Sequence, residues 1–301
     1  MMEASVLKGA LLAVMAAVSL TLMSVFVKLI GPNIPVYELI WVRFLMGLIL
    51  LIPIIVLSPG FSFKLPNPLR FLLRTISALL GLALLFLAVQ RMALAQALLL
   101  SNTTPLIVPI LAFLMVGAKI TRWGILGVVV GFIGVAVVLN PAHASIGWGD
   151  LLALTSAFFV ALAILQIRLL GKTMVTWPML FYYFLMSTLL TTPFGLIKVA
   201  VPSSGRIWLF LLLIGVVGFI YQICSTLSYK LAPVRLTTPI LYLNVLLGGI
   251  FEWVIWGQKP TLSFLIGCVI IVSGVVITLF LGTPRIKTTG DGYEKNSTHR
   301  S

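Results

Sequence analysis

The feature that most limits what this chain can become is its succession of long apolar runs. A helix that crosses a bilayer needs roughly 20 mostly apolar residues, and ten such runs lie at about 9–30, 36–57, 69–89, 94–117, 121–139, 148–170, 177–200, 206–229, 235–256 and 261–281. Turn residues punctuate them: Gly31-Pro32-Asn33, Ser58-Pro59-Gly60, Asn140-Pro141, Pro202-Ser203-Ser204-Gly205 and Gln258-Lys259-Pro260. The runs are twice the length of a barrel strand and do not alternate, which excludes a membrane β-barrel. The first run is too long for the apolar part of a signal peptide and is read as retained. Composition excludes a soluble fold, because 61% of the 301 residues are hydrophobic and only 9% charged, against about 25% charged in soluble domains. The expected fold is an all-α integral membrane protein with ten transmembrane helices.

The net charge of +14 comes from 20 Lys and Arg against 6 Asp and Glu, so acid is scarce rather than base abundant. The basic residues sit singly between apolar runs, which argues against a nucleic-acid partner. Fourteen of them, from Lys8 to Arg300 and including Arg74, fall on the side of the termini; five (Lys28, Arg91, Lys198, Arg206, Lys259) fall on the other, and Arg43 lies within the second run. This asymmetry places both termini in the cytoplasm and the protein in the cytoplasmic membrane. Residues 283–301 read as a disordered cytoplasmic tail, where the sequon at Asn296 would stay unmodified. Cys224 and Cys268 lie inside apolar runs, and His143 and His299 in a loop and the tail. No disulfide framework, metal cluster, Ser/His/Asp set or phosphate-binding loop follows from the spacing, so neither an enzyme nor a cofactor is expected.

An ungapped offset of 140 residues matches the two halves of the chain. Gly9 falls on Gly149, Lys28 on Arg168, Phe44-Leu45-Met46 on Phe184-Leu185-Met186, and Pro53 on Pro193. Gly117, Lys119, Thr121, Gly127 and Gly134 fall on Gly257, Lys259, Thr261, Gly267 and Gly274. The Gly, Pro, Lys and Thr matches carry the weight, since apolar matches come easily in such a composition. Residues 1–140 and 141–282 thus form two five-helix repeats, and an odd number of helices per repeat inverts the second. Inverted repeats mark secondary transporters, with the substrate site near mid-membrane between the halves.

With Glu38-x4-Arg43-Phe44 in the second run, Gly127-x3-Gly131-x2-Gly134 in the fifth and Gly257-Gln258-Lys259-Pro260 before the tenth, the chain resembles the EamA family of the drug/metabolite transporter superfamily over about residues 8–282. The resemblance implies transport of amino acids and other metabolites, S-adenosylmethionine or vitamins. The Glu38–Arg43 spacing is similar to that of S-adenosylmethionine permeases. Two positions depart from the family pattern: Ala118 and Gln258 stand where relatives carry Glu.

Ionisable residues inside spans cost about 2.5–3.5 kcal/mol on insertion scales and are site candidates. Glu38 and Arg43 stand about 140° apart on a helix, so they are no natural pair; Arg43 either faces a carboxylate or phosphate or bonds carbonyls. Glu252 either binds a cation or proton in the cavity or belongs to a packing stripe with Asn244 and Gly248. Asn102, Thr103 and Pro105 in the fourth span, and Pro239, Tyr242 and Asn244 in the ninth, mark broken helices of the kind that supply transporter sites. Trp41, Tyr182, Tyr183 and Gln222 complete the substrate-binding candidates, with the aromatics able to hold a cation or to anchor at the interface. The expected function is alternating-access transport of a small polar or zwitterionic metabolite by a monomer or homodimer in the lipid bilayer. A lipid scramblase or an intramembrane enzyme is the rival reading.

Overall fold

The computed structural model describes residues 2–57, 67–117, 120–139, 146–170, 176–197, 204–232 and 234–281. The turns at Ser58–Gly60, Asn140-Pro141 and Pro202-Ser203, the positions Ala118 and His143, and the tail with Asn296 and His299 lie outside these residues. Every element within them is helical. In order they are α1 (Met2–Ile30), α2 (Val36–Val56), α3 (Pro68–Arg91), α4 (Leu94–Ser101), α5 (Thr104–Val116), α6 (Arg122–Leu139), α7 (Trp148–Leu170), α8 (Thr176–Ile197), α9 (Gly205–Leu231), α10 (Val234–Leu241), α11 (Leu243–Trp256) and α12 (Leu262–Phe280). One 3-10 turn, Gly31–Asn33, joins α1 to α2.

Nine stretches among the described residues are long and apolar enough to cross a bilayer, α4 with α5 forming one and the end of α10 with α11 another. Helix α8 matches them in length at 22 residues. The chain is therefore an all-α, multi-pass membrane protein. Its outward faces are apolar, as lipid requires: Val14, Ile133, Leu246 and Val269 are exposed, while Phe44, Phe71, Phe86 and Phe184 are fully buried.

The two interrupted crossings break where the sequence places polar residues next to proline. Pro105 lies in the first turn of α5, where its missing N–H leaves no helical bond unmade, and the chain unwinds at Asn102-Thr103 just before it. Pro239 lies inside α10, and the second break follows at Tyr242. Both crossings end alike. Gly117 and Gly257 follow α5 and α11 with φ of 67° and 70°, a left-handed conformation that only glycine adopts without strain, and their N–H groups bond back to Phe113 and Trp253.

Packing pairs helices far apart in sequence: α6 with α12, α3 with α7, α1 with α9, α2 with α8 and α9, and α4 with α11 and α7. The α6–α12 seam is built from glycine. A Cβ on Gly134 would fall 2.7 Å from the Ile271 nitrogen, and one on Gly274 would fall 2.6 Å from the Gly127 oxygen and from Gly131 Cα. Lipid supplies no hydrophobic force between helices, so such close backbone approach supplies the packing instead. Contacts of Gly127 with Thr278 and of Val138 with Gly267 show that the two helices run antiparallel. These two contacts are one contact seen twice, since each residue of one pair lies 140 positions from a residue of the other.

Candidate functional site

The buried candidates gather at two places in the bundle. The first is the junction of α4 and α11. Asn102, at the α4–α5 break, donates its amide to the Asn244 side-chain oxygen at 2.7 Å. The Tyr242 hydroxyl donates to the Asn102 carbonyl, also at 2.7 Å. That carbonyl is one of the groups freed by the break, so tyrosine closes a hydrogen bond the helix leaves open. Thr103 turns its hydroxyl back to the Leu100 carbonyl at 2.7 Å and is fully buried, which makes it a cap of the break. Asn244 Nδ2 is buried with no partner.

Two turns further along α11, Glu252 is 3% exposed and fully engaged. Its Oε1 accepts from Lys28 Nζ at 2.7 Å and its Oε2 from the Leu94 backbone N–H at 2.6 Å, the first helical residue of α4. Lys28 also donates to the Met92 carbonyl at 3.0 Å and lies 4.8 Å from the centre of the Trp256 ring. Glu252 thus meets a cation supplied by α1, and it caps the positive end of α4. The stripe Asn244–Gly248–Glu252 is the face of α11 that meets α4: a Cβ on Gly248 would fall 2.9 Å from Leu98. Gln96, in the same first turn of α4, donates to Asp150 at 2.7 Å, tying α4 to the start of α7.

The second place lies between α2, α3, α8 and α9. Arg43 is 1% exposed and hydrogen-bonds Tyr183, with Tyr221 nearby. Its guanidinium carbon lies 4.8 Å from the Phe44 ring centre, and its stem fills the space left by Gly218. Phe44 and Tyr183 meet edge to face at 5.4 Å. Glu38 is buried too, about 140° around the helix from Arg43. Arg74, which the charge count places with the loops, is buried in α3, 5.2 Å from the Phe71 ring centre and 4.9 Å from that of Tyr183. Cation–π contacts of this kind contribute about 0.5–2 kcal/mol each.

The remaining candidates are less committed. Trp41 is half-buried and donates to the Thr192 hydroxyl at 3.2 Å. Tyr182 is half-buried, edge to face with Phe71 and Phe181. Gln222 is half-buried, with one long 3.5 Å bond to Thr226 on its own helix. The structure brings Asn102, Thr103, Tyr242, Asn244 and Glu252 into one group and Arg43 and Tyr183 into another. Sequence reasoning missed Lys28 and Arg74, both of which read as ordinary cations near helix ends.

At both places residues 140 positions apart meet one another: Asn102 with Tyr242, Arg43 with Tyr183, and Phe44 with Phe184, whose ring centres lie 5.9 Å apart.

Comparison with known proteins places these features in one family. A solved crystal structure shares the fold at a TM-score of 0.64 and 21% identity, covering 93% of this chain and 97% of that one. The pseudopaline exporter of Pseudomonas aeruginosa is 28% identical over 268 residues, 88% of this chain and 93% of the exporter. An S-adenosylmethionine uptake transporter of Rickettsia prowazekii is 24% identical over 269 residues, 88% of this chain and 90% of that protein. A riboflavin transporter of Vibrio cholerae is 28% identical over 211 residues, 68% and 69% of the two chains. The sequence profile described as the EamA-like transporter family matches twice, over residues 7–140 and 147–280. Two matches that together span nearly the whole chain decide its membership: this protein belongs to the EamA-like transporter family of the drug/metabolite transporter superfamily and is a membrane transporter, not an enzyme.

Proposed function

We propose that this chain is a secondary transporter that moves a small polar or zwitterionic metabolite across the cytoplasmic membrane by alternating access. Two inverted five-helix halves, residues 1–140 and 141–282, exchange conformations around a site between them, with both termini in the cytoplasm. The observation that carries this reading is the meeting of repeat-related residues at buried polar points: Asn102 with Tyr242 and Arg43 with Tyr183. On a two-fold axis a residue meets its own mate, and in an inverted repeat that axis lies in the membrane plane. The mates at these points differ in chemistry, one offering an amide or guanidinium and the other a phenol. Such a point is asymmetric enough to hold an asymmetric solute.

In the proposed orientation, the Lys28–Glu252 pair lies towards the extracytoplasmic side. The packing of α4 on α11 there supports a state closed to the outside. For the bundle to open on that face, Glu252 must release Leu94 and Lys28, so the pair is proposed as the outer gate. Arg43 would face an acidic group of the solute, and Trp41, Tyr182 and Gln222 its remaining surface.

Counterflow uptake into liposomes by the purified protein tests this reading, with labelled amino acids, pseudopaline, S-adenosylmethionine, riboflavin and nucleosides as the panel, with and without a pH gradient. Accumulation of one solute, lost in Arg43→Ala and reduced in Glu252→Ala, is expected. Redistribution of fluorescent lipid with no solute accumulating would overturn the proposal in favour of a scramblase.

A further inference from the structure

Arg74 has no role in the gate or the solute contacts proposed above, and its surroundings are unusual. Its Nε and Nη1 are buried without a hydrogen-bond partner, and so is the Nε of Arg43. The side chain they share is Tyr183, which Arg43 hydrogen-bonds and whose ring centre lies 4.9 Å from Arg74; no ion pair joins either arginine to a carboxylate among the described residues. Two acids are engaged at the α4 side, the buried Glu252 by Lys28 and Leu94 and the half-buried Asp150 by Gln96 and the Gly147 N–H. Glu38 has an interaction of its own. Two guanidinium groups therefore lie in the bundle interior facing one tyrosine, with aromatic rings and that tyrosine's hydroxyl around them. A buried cation without a counter-charge is expensive, and such cations persist in membrane interiors where a ligand completes them.

The two approach Tyr183 differently. Arg74 lies near the ring, 4.9 Å from its centre, while Arg43 reaches the hydroxyl. The guanidinium groups are thus set apart across one aromatic side chain rather than clamped on a single point. One turn along α8 on the same face, Ser187 is fully buried and its hydroxyl has no partner.

We propose that Arg43 and Arg74 form a two-point anion subsite on either side of Tyr183, and that the transported solute carries two carboxylates a few bonds apart. A guanidinium N–H donates a charge-assisted hydrogen bond to a carboxylate oxygen, and Arg43 Nε with Arg74 Nε and Nη1 are the donors left open. A single phosphate, compact and tetrahedral, would engage one arginine well and the other poorly. The inference rests on the transporter reading only for how the solute arrives.

The test is thermal unfolding of the full-length protein in an uncharged detergent, with succinate, glutarate, acetate and inorganic phosphate as probes at matched sodium concentration. Succinate or glutarate at millimolar concentration is expected to raise the midpoint by about 3 °C or more, with acetate giving no comparable rise. Arg74→Gln is expected to weaken the dicarboxylate response about 10–100-fold, the loss of one charge-assisted contact. Arg74→Lys should restore part of it. Equal shifts with acetate and the dicarboxylates, or a larger shift with phosphate than with either dicarboxylate, overturns the proposal. Where Arg74→Gln does not fold, the wild-type series alone decides between these outcomes. Counterflow of a monocarboxylate zwitterion without any dicarboxylate binding would remove the subsite and leave the transporter standing. A dicarboxylate shift with no counterflow of any solute would do the reverse.

Discussion

Helices α4 and α10 occupy the same place in the 140-residue register, are both eight residues long, and both end at a break. They are held very differently. The first turn of α4 is fixed by two carboxylates, Glu252 on the Leu94 N–H and Asp150 on the Gln96 side chain. The positions mated to those acids are Ala112 and Ala10, and the mate of Gln96 is Leu236, which is exposed. Helix α4 packs closely on α11, whereas no comparable packing joins α10 to α5 among the described residues. The α6–α12 seam, in contrast, repeats its contacts in both directions. The difference teaches that two helices in the same register can be held very differently, and that two acids account for much of it. Of the six acidic residues in the chain, Glu252 and Asp150 both serve α4.

The largest expected effect comes from removing one of those acids. Glu252→Ala leaves Lys28 without its anion and α4 without its cap, and should cost about 3 kcal/mol, the low end for a broken buried pair because Lys28 keeps some access to solvent. Thermal unfolding in detergent measures it, and the double variant Lys28→Met with Glu252→Leu should recover most of the loss. A Glu252→Ala protein as stable as the wild type would erase the contrast between α4 and α10. The opposite change sharpens the contrast: Ala112→Glu supplies, from α5, the acid that α10 lacks. A preference of about 1.4 kcal/mol for the alternative state shifts the ratio of states tenfold. Labelling of a cysteine placed at Met92 should then rise several-fold, and unchanged labelling would show that the acid alone does not select the state. Tyr242→Phe removes one hydrogen bond at the break and should lower stability by about 1 kcal/mol, read from the same unfolding curves. Asp150→Asn keeps an acceptor for Gln96 at a half-buried position and should change stability by no more than about 0.5 kcal/mol.

Much of this arrangement is legible in the amino-acid sequence. The offset of 140 names pairs that touch, Asn102 with Tyr242 and Arg43 with Tyr183, because a regular register carries through rigid helices. Pro105 and Pro239 announce the breaks, since a helix interior cannot supply the missing N–H. The partners of the charged groups are not legible. Lys28 lies 224 residues from Glu252, and a lysine in the last turn of a helix reads as a surface anchor whatever it bonds. Arg74 follows Arg70 by one turn at a helix start and reads as a second loop cation; only the packing of α3 against its neighbours shows that one is buried where the other is exposed. The same limit applies to Glu252, whose depth is evident from its spacing to Lys259 but whose cation comes from a helix at the other end of the sequence. Beside both arginines, Tyr183 of α8 contributes a hydroxyl and a ring face that leucine could not.

The glycine seam has a consequence in time. Helix α6 is made about 140 residues before α12, and at a synthesis rate of about 5–20 residues per second its small-residue face waits roughly 7–28 s for its partner. During that interval the first half sits in the bilayer with a backbone-deep groove turned to lipid, the kind of surface on which membrane helices associate. A chain interrupted before Leu262 would keep the groove open for as long as it survived, so the last helix acts as the closing piece of biogenesis.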